Sequence, residues 1–456
     1  MATSSIMSSL SSAGLGTGAG IDVASTVSQL IAAIRAPEQV WTTQQSLAKV
    51  QGQSLTQLNT EVSALSNAID SLKDVAGAVT ARAVTSSNTN LVSAAASNAT
   101  PVGSHTVVIS RLATSSSYYS DPIATSSTTL ANGTFTIKVG SAVATTITVD
   151  STNNTLDKLA TAINNQNLGV AASVITDANG SRLAIVSNTS GAAGDVTITN
   201  EAGGLTFNKG VTGQNAALTV DGVPISSASN TVSGVVPGLA LNLAGADPNT
   251  AVQITITPDT SKTKQSITDF VTAFNTIVQD LSSQFTYNTT TNSAGPLAGD
   301  SVARMVQEEM LNAVTYSATG TNGFNTLTSL GITMNNDGTL GINDATLTNA
   351  LNSNFADVQN FFQSANGTGF ATFFSAQMDP LTDSTQGAFF VDLQGINATQ
   401  KSLQDQIDSF EVYVASQQVM LTNQYNQVNV MLQQLPLIQK QTESQLSGLV
   451  GLNSNK

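Results

Sequence analysis

Hydrophobic residues recur at alternating intervals of three and four at both ends of the chain and lose that rhythm in the middle. Near the N-terminus Leu55, Leu58, Val62, Leu65, Ile69 and Leu72 follow it. Near the C-terminus Ile396, Leu403, Ile407, Phe410, Val414, Leu421, Val428, Met431, Leu435 and Ile438 do the same, which keeps one apolar seam along a helix. An earlier stripe of Val23, Val27, Leu30, Ile31 and Ile34 stands behind Asp22, a residue suited to cap a helix start, and Pro37 ends or kinks it. The next helix is expected to pass through Trp41 into the first heptads and to run out near Gly77. An intramolecular antiparallel bundle of the two ends is the simplest way to bury both seams, with neighbouring faces left for contacts between copies.

From Val79 to about Ile256 the period changes to two. His105 to Ile109, Thr134 to Val139, Thr145 to Val149, Leu183 to Val186 and Val196 to Thr199 alternate or are β-branched, with Gly, Asn and Asp between them. One short helix, Leu156 to Asn164, interrupts the run. Gly133 to Asp150 and Ala217 to Leu243, the latter turning at Asp221-Gly222, look like variants of one unit. Pro258 and Asp259 close this region, after which Ile267, Phe270, Phe274, Ile277 and Leu281 restore helical spacing. A further helix is predicted from Asp300 through Val302, Met305, Val306, Met310 and Val314, then a hairpin over Ile332 to Ile342, then a short helix holding Phe355, Val358, Phe361 and Phe362. The last helix, Ile396 to Leu435, spans roughly 60 Å at 1.5 Å per residue. Pro436 is expected to break or kink it, and the tail beyond to fold only against a partner.

These elements predict an α+β multidomain chain: a helical, coiled-coil-like stem formed by both chain ends, with two β-rich head subdomains inserted between them. The expected divisions are a disordered tail over 1–20, N-terminal stem helices over 21–77, and an inner head from 78–120 plus 210–258. An outer head then takes 121–209, the C-terminal stem 259–435 with its hairpin near 332–342, and a tail 436–456.

Charge and composition narrow the function. Only 10% of the 456 residues are charged, so Ser, Thr, Asn and Gln must supply most of the polar surface. The net charge of -14, with no basic cluster to neutralise a run of phosphates, argues against nucleic acid. The absence of cysteine removes disulfides, thiolate metal sites and Cys nucleophiles together. No stretch approaches the roughly 20 apolar residues that cross a bilayer, so membrane insertion is not expected. The first basic residue is Arg35, so the opening lacks the charged and apolar regions of a secretory signal, and the chain either stays in the cytoplasm or leaves by another route.

Candidate chemistry is sparse. His105 is the one histidine and lies in a predicted strand, where a plain strand residue is the better reading. Glu308 and Glu309 are adjacent and point in different directions on a helix, so they do not form a catalytic carboxylate pair. Asn335, Asn336, Asp337 and Gly338 lack the ligand spacing of a calcium loop and read as a tight turn. Gly14 to Gly20 lacks the strand and lysine of a phosphate-binding loop. No catalytic residue, metal site or cofactor is expected, and the chain reads as built for assembly.

Several motifs in order resemble the bacterial flagellar filament cap family, also called hook-associated protein 2. Gly14-Leu15-Gly16-Thr17-Gly18-Ala19-Gly20-Ile21-Asp22, then Val27 to Ala33 and Arg35-Ala36-Pro37, look like its opening signature, carried by Gly14, Gly16, Gly18, Asp22, Leu30, Arg35 and Pro37. Gly103 to Ala113 resembles its first strand motif, and Ala217 to Leu243 is similar to a short repeat shared with flagellin-type hook proteins. Ile267 to Leu281, Gly295 to Asp300, Leu330 to Thr333 and Asp337 to Leu340 follow the family order, while Asp121 to Lys209 carries the least family signal.

The resemblance implies a secreted homo-oligomer, a ring of several copies at the filament tip, beneath which exported flagellin folds and inserts. Its implied partners are flagellin, hook-filament junction proteins and, before export, a flagellar export chaperone bound at the C-terminal segment. Two other readings stay open. One is a cell-adhesion protein whose head binds host or surface glycans, and the other is a filament or junction protein of the flagellin type. A secreted hydrolase ranks behind both.

Overall fold

A computed structural model describes residues 21–98, 100–199, 204–289, 293–318, 323–363 and 367–453. The expected tail over 1–20, with Gly14, Gly16 and Gly18, lies outside the described residues. Helix α1 (Val23–Ile34) opens at Asp22, whose carboxylate accepts from the Ser25 N–H at 3.2 Å. Arg35 separates it from α2 (Ala36–Lys73), which carries Pro37 in its first turn. There the missing N–H has no intrahelical acceptor to lose, so the same proline that stops α1 suits the start of α2.

The chain then builds two antiparallel β subdomains. The inner one holds a five-stranded sheet in the order Arg82–Ser86, Asp247–Pro258, Gly103–Arg111, Ala216–Val220 and Val223–Ser227. A three-stranded sheet of Thr231–Ser233, Leu239–Leu243 and Val92–Ala96 closes it over Val107, Ile109, Leu218, Leu241 and Ile254. Asp221 and Gly222 have φ of 51° and 81°, the left-handed pair that a two-residue hairpin turn demands. The outer one joins a four-stranded sheet, Phe207–Val211, Ser115–Ser120, Gly180–Ser190 and Val170–Asp177, to a three-stranded one and to α3 (Leu156–Asn165). Phe135, Ile147, Leu159, Ile163, Leu183 and Ile185 fill its core.

Two expectations are corrected here. Strand Ser115–Ser120 pairs with 184–190 of the outer sheet, Tyr118 standing opposite Ile185, so the crossing between heads lies at the Thr114 and Gln214 bridge and not at 120 and 210. The link from Arg111 to Ser115 is short and contains neither Gly nor Pro, and nothing in its composition marks a boundary. Gly133 to Asp150 and Ala217 to Leu243 are also not one repeated unit. The first is a single hairpin, whereas the second spreads its strands over two sheets.

The rest of the chain is helical. Asp259 caps α4 (Thr260–Phe285) and Asp300 caps α5 (Ser301–Val314). The hairpin of Ile332–Met334 with Leu340–Ile342 follows, turning at Gly338 with φ 83°. Asn275 of α4 pins it by bonding both backbone groups of Leu340, at 2.6 and 2.8 Å. Then come α6 (Asp344–Ser353), α7 (Phe355–Gln363), α8 (Phe370–Thr382) and α9 (Ala388–Asn453).

The stem core departs from the expected pairing of the two seams. Leu55, Leu58, Val62, Leu65, Ile69 and Leu72 are fully buried, yet they share one core with Ile267, Phe270, Phe274, Ile277 and Leu281 of α4 and with Phe370, Phe374 and Met378 of α8. Phe270 meets Phe374 edge-on at 5.2 Å, and Phe361 stacks on Phe370 at 5.5 Å. Each such buried side chain contributes about 1.5–3 kcal/mol. Spacing fixed which face of α2 is apolar, but α8, whose phenylalanines complete the core, was not among the predicted helices.

Pro436 does not end the last helix, and 436–456 is not a separate tail as far as Asn453, because α9 continues through it. The proline lacks the one N–H that would reach the carbonyl four residues back and costs about 3 kcal/mol. Helical turns stand on both sides of it, and the surrounding side chains are exposed, so water reaches the freed carbonyl.

Candidate assembly surface

The start of α9 and the N-terminal half of α2 run antiparallel as a two-helix stalk. Gly52 lies under Ile396, so close that a Cβ there would stand 3.2 Å from Ile396 Cγ2. Farther along, Gln400 Nε2 donates to the Ala48 carbonyl at 3.3 Å, Gln45 Nε2 to Gln404 Oε1 at 2.7 Å, and Trp41 meets Phe410 edge-on at 5.2 Å. The two chain ends therefore do pair, along residues 35–52 of the N-terminal side, and Phe389 and Ile396 of α9 also enter the core that holds Leu55 to Leu72.

At the top of this stalk α1 folds onto α9. Val27, Ile31 and Val414 are buried together, with Val23, Ile34, Phe410, Leu421 and Tyr425 packed around them. Arg35 locks the elbow between α1 and α2. Its Nη1 and Nη2 reach Glu411 Oε1 and Oε2 at 2.6 and 2.7 Å, and Nη1 also reaches Glu38 Oε2 at 2.7 Å. The Arg35 hydrogen bonds hold the Glu411 carboxyl below its usual range, and those carboxylates in turn raise Arg35. Asp22, Arg35 and Pro37 of the expected signature thus serve as cap, clamp and first-turn proline, while Leu30 stands half-buried on α1.

The C-terminal seam divides along its length. Ile396, Leu403 and Val414 are buried, and Ile407, Phe410 and Leu421 are half-buried. Val428, Met431, Leu435 and Ile438 are 42%, 66%, 50% and 55% exposed. Gln417 and Gln424 interrupt the seam on either side of Leu421. Beyond Tyr425 the helix has run past its packing partners among the described residues, and its apolar stripe faces solvent. Nearer the stalk, a cleft of about 500 Å³ is lined by Trp41, Asp405, Ser409, Phe410 and Tyr413.

Among the described residues no three His, Cys, Asp or Glu side chains cluster to hold a metal, and no helix is long and apolar enough to cross a membrane. His105 Nδ1 and the Thr106 N–H both meet the Asp221 carboxylate, at 2.7 and 2.8 Å, which ties a hairpin turn to its neighbouring strand. Glu308 is exposed and Glu309 half-buried on α5. The sequence reading missed Glu411, Gln45 and Gly52. A partner 376 positions away leaves no local trace, but a glycine inside a helical pattern, such as Gly52, does signal close approach.

Comparison with known proteins places these features. Models of the flagellar hook-associated protein 2 N-terminus and C-terminus match residues 19–116 and 213–436. The flagellin hook IN motif matches 134–189, within the segment expected to carry least family signal and not at Ala217 to Leu243. B-type flagellar hook-associated protein 2 of Pseudomonas aeruginosa is 29% identical over 428 residues, covering 87% of this chain and 89% of that one. Flagellar hook-associated protein 2 of Escherichia coli K12 is 28% identical over 482 residues, covering 98% and 100%. The crystal structure of the flagellar cap protein FliD D1-D2-D3 domains from Escherichia coli superposes with a TM-score of 0.62 at 26% identity, over 75% of this chain and 99% of that one.

Proposed function

The chain belongs to the flagellar hook-associated protein 2 family, and from that premise we propose that it is the structural cap at the distal end of a bacterial flagellar filament. There it promotes folding and insertion of exported flagellin and prevents its loss. Several copies join through their heads into a plate, with the stems as legs. Flagellin arriving through the channel folds beneath the plate and enters at a gap between stems. The work is confinement and preferential binding of the folded, inserted subunit, and it requires no covalent step.

The observation that carries this reading is the division of α9. Its first part is anchored in a complete stem core, while Val428 to Ile438 present apolar side chains to solvent. A leg needs both properties, since it must be held by the cap yet grip successive positions on a growing filament. Junction proteins during assembly and a chaperone before export are further occupants we propose for this same stretch.

The test is the partition of flagellin between attached filaments and free monomer in the medium, comparing the parent bacterium with a strain that lacks the gene. Filament loss with monomer leaking, restored by the intact gene, supports capping. Normal filaments would overturn it and turn attention to adhesion by the heads.

A further inference from the structure

Asp392, in the second turn of α9, lies against Asp300, the N-cap of α5. Asp300 is only 5% exposed and both its oxygens already accept, Oδ1 from the Ala303 N–H at 2.9 Å and Oδ2 from Gln51 Nε2 at 3.2 Å. Asp392 Oδ2 is buried and has no donor. Two ionised carboxylates cannot satisfy each other, because neither carries a hydrogen. One proton between them makes an O–H···O bond and supplies the partner that the orphan oxygen lacks.

The surroundings favour that proton. Burial, the Asp300 charge and the hydrogen bond between the two carboxyls push Asp392 up to about 6. No other ionisable side chain lies on α9 between Ala388 and Lys401. The packed helices carry Lys49 and Glu61 on α2, Arg304 on α5 and Asp379 on α8. Glu61 is opposed by the charge of Asp280 and Asp379 acts on Lys73, while the charge acting on Asp392 is that of Asp300.

We propose that Asp392 and Asp300 form a proton-dependent clasp that ties the root of the long terminal helix to the stem in acid and loosens it toward neutral pH. The clasp lies one turn before Ile396, where α9 begins its stalk contact with Gly52, so its state sets how firmly the exposed seam beyond is anchored. Because the folded value lies above the unfolded one, the stabilisation is complete below about 3.8 and is lost as pH rises through about 6. The proposal concerns protonation of the stem and stands apart from the capping reading.

Hydrogen exchange of the amides in Ala388 to Ile396, measured on the full chain at pH 5 and pH 7.5 and corrected for intrinsic rates, tests it. In the parent, protection should fall about tenfold between the two, the equivalent of one pKa unit after allowance for solvent screening. In Asp392→Asn, whose amide donates to Asp300 at any pH, protection should stay level. Asp300→Asn retains a good N-cap and should level it as well, which guards against a folding defect in either variant. A fall of the parent's size in both variants overturns the clasp, as does equal protection at both pH values in the parent.

Discussion

Arg35 and Glu411 stand 376 positions apart and close a two-pronged ion pair at 2.6 and 2.7 Å, which fixes the elbow of α1 and α2 to the flank of α9. Both side chains are partly exposed, so water and salt screen the attraction, and the pair acts more on geometry than on global stability. Glu411→Gln is expected to quicken amide exchange across Val23 to Ile34 while leaving thermal unfolding of the stem core almost unmoved. The Glu411 carboxyl is held below its ordinary value of 4.5. Its contribution is therefore present above that value and is lost as pH falls through the folded one, so acid should reproduce the substitution. Exchange in α1 that is the same in parent and variant would remove the clamp from the account.

Val414 and Val428 occupy the same seam in opposite environments, 1% and 42% exposed. Val414→Asp forces an unpaired carboxylate among Val27 and Ile31 and should destabilise by on the order of 3 kcal/mol. Val428→Asp should lie within about 0.5 kcal/mol of the parent in the isolated chain, yet weaken retention on the filament. Thermal melts of both variants and a count of caps on sheared filaments separate the two effects. Equal melting would contradict the division of the seam, and normal retention of Val428→Asp would deny the exposed stripe its role.

Gly52 is a third point of control. A methyl there gains about 1 kcal/mol of helix propensity but meets Ile396 Cγ2 at 3.2 Å. That Ile396 methyl sits on the stiff β-branched carbon of a buried side chain and moves only with α9, so the strain offsets the gain and Gly52→Ala should lie within about 1 kcal/mol of the parent. Gly52→Leu cannot be absorbed and should cost about 1–3 kcal/mol by prising α9 from α2. Loss of stalk contact would appear as faster exchange around Gln400 and Gln404, and its absence in the leucine variant would show that the two helices are not in register here.

The sequence pattern made the elements legible and left their partners open. Spacing of three and four located the buried face of Leu55 to Leu72, but any apolar helix surface of the right width satisfies such a face, and the one present belongs to α4 and α8. Asp22 could be read as a cap because capping is local, and Asp259 and Asp300, at the starts of two later helices, cap by the same rule. The Arg35 clamp could not, because it depends on how two distant helices slide past each other. Pro436 misled because a proline rule describes one hydrogen bond, whereas the fate of a helix of 66 residues is settled by all of them. The head boundary at Thr114 was invisible for a simpler reason: strand follows strand there with no change of composition.

Glu61 and Asp280 give a last prediction, independent of the clasp at Asp392. Gln57 donates to Glu61 Oε1 at 2.7 Å and Gln284 to Asp280 Oδ1 at 3.2 Å, while Glu61 Oε2 and Asp280 Oδ2 are buried with no donor. Burial foremost, and the Asp280 charge after it, raise the Glu61 carboxyl above 4.5, against the opposing pull of Gln57. A raised folded value means that the associated stability is complete below 4.5 and is lost as pH climbs through the folded one. Glu61→Gln removes the charge and brings an amide donor to the same place. It should therefore melt above the parent at pH 7.5, and the gap should close as the pH is lowered toward 4.5. A gap that stays constant with pH would mean that the substitution acts through packing, and that the two carboxylates do not oppose each other across α2 and α4.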